Sequence, residues 1–232
     1  MDPYGDPGGQ ALSVPQGLVG PADEGALPDS ASYDALVPTP MPRWLTYRDR
    51  QNLCVEEKKR IGERAAHLAK NGDTLLLDSG TTVFEVAKHL SRLRQVTVIT
   101  NSLPVAEELS GKRNVTLILA GGSLDQASLS FKGPIAEQAI VESKVDMAFI
   151  GVAGISPDRG ISTPDMLEVQ VKRAMVSAAK RVVVVADHTK FGLLSLASIA
   201  PLSAVNLLVT GRELDSDRSR MIADRGARLI SV

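Results

Sequence analysis

From Val55 onward the chain alternates between two patterns of apolar and polar positions. Seven short runs are almost wholly apolar: TLLLD from Thr74, VTVIT from Val96, VTLILA from Val115, MAFIGV from Met147, VVVVA from Val182, NLLVT from Asn206 and RLISV from Arg228. Between most of them lie segments with helical spacing, near 82–92, 103–110, 133–142, 164–180 and 216–226. Strands that are apolar on both faces belong to a sheet covered on both sides, and strands alternating with helices make that sheet parallel. A further helix opens at Val55, with Ile61, Ala65 and Leu68 at i, i+4 and i+7, and is expected to end at Asn71-Gly72. The helix of 164–180 is expected to have Thr163 as its N-cap, Pro164 at its first position and Asp165 in its first turn. The fold class is therefore α/β.

Residues 1–42 follow neither pattern. They hold eight of the thirteen prolines and six acidic residues, with no Lys or Arg before Arg43. Clusters such as DPYGDPGG bury too little apolar surface to offset the entropy of ordering. The expected organisation is a disordered or atypical tail over 1–45 and one domain over 46–232.

Composition narrows the chemistry. Aromatic residues make up 3% of the chain, too few for base-stacking surfaces. The single cysteine, Cys54, excludes an internal disulfide and a multi-cysteine zinc site, and is read as inert. His67, His89 and His188 have no metal-ligand spacing, so no metal and no cofactor are expected. There is no secretory pattern and no apolar run of about 20 residues, so a cytoplasmic protein without a membrane partner is expected. The net charge of −1 leaves no overall footprint for nucleic acid.

Ligands of open parallel sheets bind beyond the carboxyl ends of the strands. The segments there are Asp78-Ser79-Gly80-Thr81-Thr82, Thr100-Asn101-Ser102, Gly121-Gly122, Gly151-Val152-Ala153-Gly154 and Asp187-His188-Thr189-Lys190. Hydroxyls, amides and glycines converge on one edge, with Lys190 as a cation. A strand that ends in Ser-Gly-Thr-Thr at the mouth of a helix aims backbone N–H groups and hydroxyls at one place, where the helix dipole favours an anion; the alternative is an ordinary strand-to-helix turn with Ser79 or Thr81 serving only as an N-cap. No P-loop, G-x-G-x-x-G or G-x-S-x-G motif occurs.

EEKKRIGERAAHLAKNGDTLLLDSGTT, VITNS, LAGG, FKGPIAE, VDMAFIGVAGISPDRGISTPD and VVVVADHTKFG resemble, in order and spacing, the effector-binding domain of DeoR-type transcriptional regulators, over about residues 46–232. The resemblance implies a three-layer α/β/α fold similar to ribose-5-phosphate isomerase and a pocket for a sugar-phosphate effector. It implies Ser79, Gly80, Thr81 and Thr82 as the phosphate cradle and Asp78 as a polar anchor. Asn101 and Gly122 follow as pocket walls, and Lys190 as the cation facing the ligand. Glu168 is a candidate for sugar hydroxyls or, alternatively, a helix-dipole glutamate. Lys172 and Arg173 are expected to be solvated or to make oligomer contacts, and His188 to lie on the surface.

Three functions are weighed, one of them a pure oligomerisation module with a vestigial pocket, which the intact Ser-Gly-Thr-Thr and Lys190 disfavour. A sensor would bind a phosphorylated sugar, regulate transcription and assemble as a homo-oligomer. An aldose–ketose phosphate isomerase would need carboxylates as general bases. The related isomerase carries D-G-A-D-E, and the matching positions here hold Ile150, Ala153 and Gly154 in place of its three carboxylates. No catalytic residue is expected. DNA is the family's partner, but the segment before Arg43 offers neither a helix-turn-helix pattern nor clustered cations.

Overall fold

The computed structural model describes residues 45–232, so the tail expected over 1–45 lies outside the described residues apart from its last position. In chain order the elements begin with α1 (Tyr47–Gln51), α2 (Val55–Ala66), β1 (Thr74–Leu77), α3 (Thr81–Lys88), β2 (Val96–Thr100), α4 (Leu103–Leu109) and β3 (Val115–Leu119). They continue with β4 (Ser123–Asp125), β5 (Ser130–Lys132), α5 (Pro134–Val141), β6 (Met147–Gly151), β7 (Gly154–Ser156), β8 (Gly160–Thr163) and α6 (Met166–Ala178). The last are β9 (Val182–Val185), β10 (Ala197–Ala200), β11 (Leu207–Thr210), α7 (Ser216–Ala223) and β12 (Leu229–Ser231).

The seven apolar runs of the sequence form one sheet, in the order β12-β11-β9-β6-β1-β2-β3, with every neighbouring pair parallel. The sheet grows from β1 to β2 and β3 on one side and to β6, β9, β11 and β12 on the other. That reversal opens a crevice at the carboxyl end of β1.

Alternate side chains of each strand enter opposite layers, as the pleat requires. Leu75 and Leu77 join Phe149, Val183 and Val185 beneath Ile61 and Ala65 of α2 and Val83 and Val86 of α3. Leu76 joins Ile150 and Val184 beneath Val169 and Met175 of α6 and Ile140 of α5. The three layers are thus helices α2–α4, the sheet, and helices α5–α7. Among the described residues no helix is long and apolar enough to cross a membrane.

The sequence pattern missed the smaller elements. An antiparallel sheet, β10-β8-β7, and the hairpin β4-β5 flank the carboxyl edge. Two boundaries also move. The N-cap of α6 is Asp165 rather than Thr163, because the Asp165 carboxylate accepts the N–H groups of Leu167 (2.7 Å) and Glu168 (3.1 Å). Helix α2 stops at Ala66, before the turn that uses Gly72 at φ +84°. Within α2, Gly62 lets α3 approach closely: a Cβ there would lie 2.5 Å from the backbone carbonyl carbon of Glu85.

Candidate anion-binding site

The loop from β1 to α3 is built on Gly80, whose φ of +126° and ψ of 153° suit glycine alone. A Cβ on Gly80 would meet nothing within 4 Å, so the backbone there faces open space. No side chain caps α3, and the N–H groups of its first turn are left for an outside acceptor. The hydroxyls of Ser79, Thr81 and Thr82 border the same turn and are largely buried. Helix N-terminus, hydroxyls and open glycine backbone together make a binding place for an oxyanion.

Beside this loop, at the end of β2, Asn101 is fully buried. Its Nδ2 donates to the Phe131 carbonyl (3.1 Å), and its backbone carbonyl accepts Phe131 N–H (2.7 Å), which fastens β5 to the edge. The Asn101 Oδ1 is buried without a hydrogen-bond partner among the described residues. Gly122, at φ +119°, packs where a Cβ would come within 2.7 Å of the Lys132 carbonyl oxygen, so its place is in the tight approach to β5.

On the α6 side the charges are paired. Lys172 is buried and donates to Asp78 Oδ2, to the Gly151 carbonyl (2.8 Å) and to Glu168 Oε1 (3.1 Å). Asp78 Oδ2 also accepts the Gly151 N–H (2.9 Å), and Glu168 Oε2 accepts the Thr163 hydroxyl (2.9 Å). Burial works against the Lys172 ammonium, but Asp78 and Glu168 outweigh it and hold its pKa above the ordinary lysine value. This corrects the expectation of a solvated Lys172. The side chain lies on the apolar stripe of α6, three residues from both Val169 and Met175, where charge survives only if paired. Lys132, also buried, joins Asp125 and Asp165 (2.5 Å) across the hairpin and the start of α6.

On the α2 side the cations have no such partners. Lys58 is 4% exposed, and its Nζ donates to the carbonyls of Arg50 (2.6 Å) and Leu53 (2.7 Å). Lys190 follows β9 in a short 3-10 turn capped by Asp187. Neither lysine forms an ion pair with a described carboxylate. Burial lowers the pKa of both, Asp187 pulls the other way, and each ammonium is further disfavoured by cations nearby, Lys190 and Arg50 for Lys58 and Arg50 for Lys190.

His188 is not a free surface residue. Glu57 accepts its backbone N–H (2.7 Å) and contacts its Nδ1 (2.8 Å), which ties α2 to the loop that carries Lys190. Cys54, Glu57 and His188 bring potential ligand atoms within 4.8 Å of one another. With both Glu57 oxygens engaged and Lys58 and Lys190 alongside, the set acts as a clamp between two elements. Burial raises the Cys54 thiol pKa, which keeps it protonated and unreactive.

The structure thus brings Ser79, Gly80, Thr81 and Thr82 into one loop. Asp78 and Glu168 share Lys172. Asn101 and Gly122 flank the hairpin, and Lys190 stands two strands from β1. Sequence reasoning missed Lys58, Lys132 and Lys172. Periodicity carried a signal for two of them: Lys58 precedes Ile61 by three on the buried face of α2, and Lys172 precedes Met175 by three.

The family described as the DeoR C-terminal sensor domain matches residues 53–212. The chain belongs to this family. Among curated relatives of this DeoR-type sensor domain is the HTH-type transcriptional repressor GlcR of Bacillus subtilis, 39% identical over 77% of this chain and 68% of the relative. Another is the transcriptional repressor AccR of Agrobacterium fabrum, 41% identical over 66% of this chain and 60% of the relative. The chain therefore spans between three fifths and about two thirds of these proteins. Solved structures that resemble the domain include ribose 5-phosphate isomerase from Plasmodium falciparum, at a TM-score of 0.42 and 15% identity, covering 58% of this chain and 52% of that one. The delta subunit of eIF2B from Chaetomium thermophilum reaches 0.49 at 14% identity, covering 68% of this chain and 56% of that one.

Proposed function

We propose that this DeoR-type domain is the sensor of a transcriptional repressor of sugar metabolism and binds a phosphorylated sugar without transforming it. The observation that carries the reading is the uncapped start of α3 at Gly80, open to an oxyanion, with buried Lys58 and half-buried Lys190 lacking carboxylate ion-pair partners among the described residues at the same sheet edge. Ser79, Thr81, Thr82 and the α3 amides would hold the phosphate, Lys58 and Lys190 would balance its charge, and Asn101 Oδ1 and Glu168 would meet sugar hydroxyls. Catalysis is not part of the reading. Ile150, Ala153 and Gly154 offer no general base, and the carboxylates nearby are engaged by Lys172. The whole protein would act as a homo-oligomer in the cytoplasm, with DNA contacted through a helix-turn-helix of the kind for which GlcR is named.

Calorimetry with a panel of three- to six-carbon aldose and ketose phosphates tests this. At least one should bind, and Thr81→Ala combined with Thr82→Ala should weaken it at least tenfold, about 1.4 kcal/mol. Unchanged affinity in the double variant would move the phosphate elsewhere, and turnover of ribose 5-phosphate above background in a coupled assay would make the pocket an enzyme.

A further inference from the structure

Lys58 does two things at once. Its ammonium stands unpaired near Lys190, and two of its three protons go to the carbonyls of Arg50 (2.6 Å) and Leu53 (2.7 Å). Those carbonyls belong to the last turn of α1 and the bend after it, where the backbone reaches φ +49° at Cys54 before entering α2. Carbonyls at the end of a helix are left without intrahelical donors and carry its negative pole, so a charged ammonium holds them well.

The other end of α1 is held separately. The Tyr47 N–H donates to the Ala127 carbonyl at the tip of the β4-β5 hairpin (2.7 Å), and the Tyr47 ring is buried. Thr46 and Asp49 form a capping box at its start: the Thr46 N–H donates to Asp49 Oδ2 (2.9 Å), and the Asp49 N–H donates to the Thr46 hydroxyl (3.3 Å). Helix α1 therefore lies against α3 as a strap with two fastenings, one on the hairpin and one on Lys58. A five-residue helix has too little hydrogen bonding to persist without them.

We infer that Lys58 couples occupancy of the anion site to the docking of α1, so that a phosphate at the site tightens this strap against the sensor domain. The inference rests on the anion-site reading above. The Lys58 ammonium is buried, with Arg50 and Lys190 disfavouring its charge and Asp187 supporting it, and once two of its protons go to the carbonyls its third is left for another acceptor. A dianion that accepts this third proton fixes the ammonium between the site and α1 and so holds it in place for both carbonyls. By linkage the effect is reciprocal: what loosens α1 must weaken anion binding by the same factor.

Hydrogen exchange on the full chain, with inorganic phosphate against chloride at equal ionic strength, provides the test, and calorimetry on the same samples reports binding. Phosphate should slow exchange of the amides of residues 47–54 by about tenfold. Lys58→Met should leave these amides fast in both salts, whereas Lys190→Met should weaken phosphate but still slow them once the site is saturated. Asp49→Ala, a change at an exposed position outside the site, should lower phosphate affinity about threefold through the strap alone. Phosphate that binds without slowing residues 47–54, or slows them equally in Lys58→Met, overturns the coupling and leaves the anion site standing. Unchanged affinity in Asp49→Ala overturns it as well. Failure of both phosphate and ribose 5-phosphate to bind removes the site itself, and the coupling with it.

Discussion

Lys172 and Lys58 are both buried lysines at the carboxyl edge of one sheet, and each lies on the inner face of its helix. Lys172 meets two carboxylates and is held charged, whereas Lys58 meets only carbonyls and its pKa is pushed down by burial. The contrast separates two uses of a buried charge. Around Lys172 the site is complete, and Asp78 spends its acceptor capacity on Lys172 and on the Gly151 N–H. Around Lys58 and Lys190 the charge is unbalanced, and the α3 amides beside the loop lack acceptors. In the proposed reading an anionic ligand would occupy the second half, with the first half as the frame against which it is held.

The largest test of this contrast is Lys172→Met. It strands Asp78 and Glu168 in the core without a cation, and removal of one partner from a buried pair should lower unfolding free energy by about 3–5 kcal/mol in denaturant titration. A loss below about 1 kcal/mol would show that the paired half is not a frame. Next comes Gly80→Ala, which forces an alanine to φ +126°; a destabilisation of about 1–3 kcal/mol is expected, together with loss of phosphate binding. The unpaired half should show itself in pH dependence. Because burial lowers both lysine pKa values, phosphate affinity should fall, by about tenfold, as pH rises toward the ordinary lysine range near 10.4. Stability of the ligand-free protein should move oppositely: the penalty of the buried ammoniums is fully present below their lowered folded pKa values and is relieved as pH climbs through them. The smallest effect belongs to Lys58→Met, which removes a costly charge and two hydrogen bonds together. Its stability should change by about 1 kcal/mol or less, and a loss like that of Lys172→Met would erase the contrast.

All seven strands of the main sheet were legible: the inner ones, such as VVVV and TLLL, are apolar because they are buried, and the edge strands β3 and β12 keep an apolar run although they are partly exposed. The elements around the site were not. Strands β4 (SLD) and β7 (GIS) carry no apolar run to mark them, and α1 depends on its fastenings rather than on its own periodicity. The Ser79–Thr82 loop stood out because hydroxyls and glycine at a strand-to-helix turn have few other uses. Lys58 was hidden in EEKKR, which reads as a solvated helix face, and only its step of three from Ile61 marks it as inward. The partner of His188 was hidden as well, since Glu57 lies 131 residues earlier in the chain.

The absent side chain at Gly62 has a consequence for what the domain could come to recognise. Lys58 lies one helical turn before Gly62, and Glu85 is four residues into α3 from Thr81 in the anion loop. The near-contact between the two backbones therefore works as a gauge, setting how far the lysine stands from the loop. Any residue larger than glycine at 62 would push α2 outward and widen the gap between them. If an anion bridges that gap as proposed, its size would be calibrated by a single missing methyl group, well below the surface where a ligand would be met.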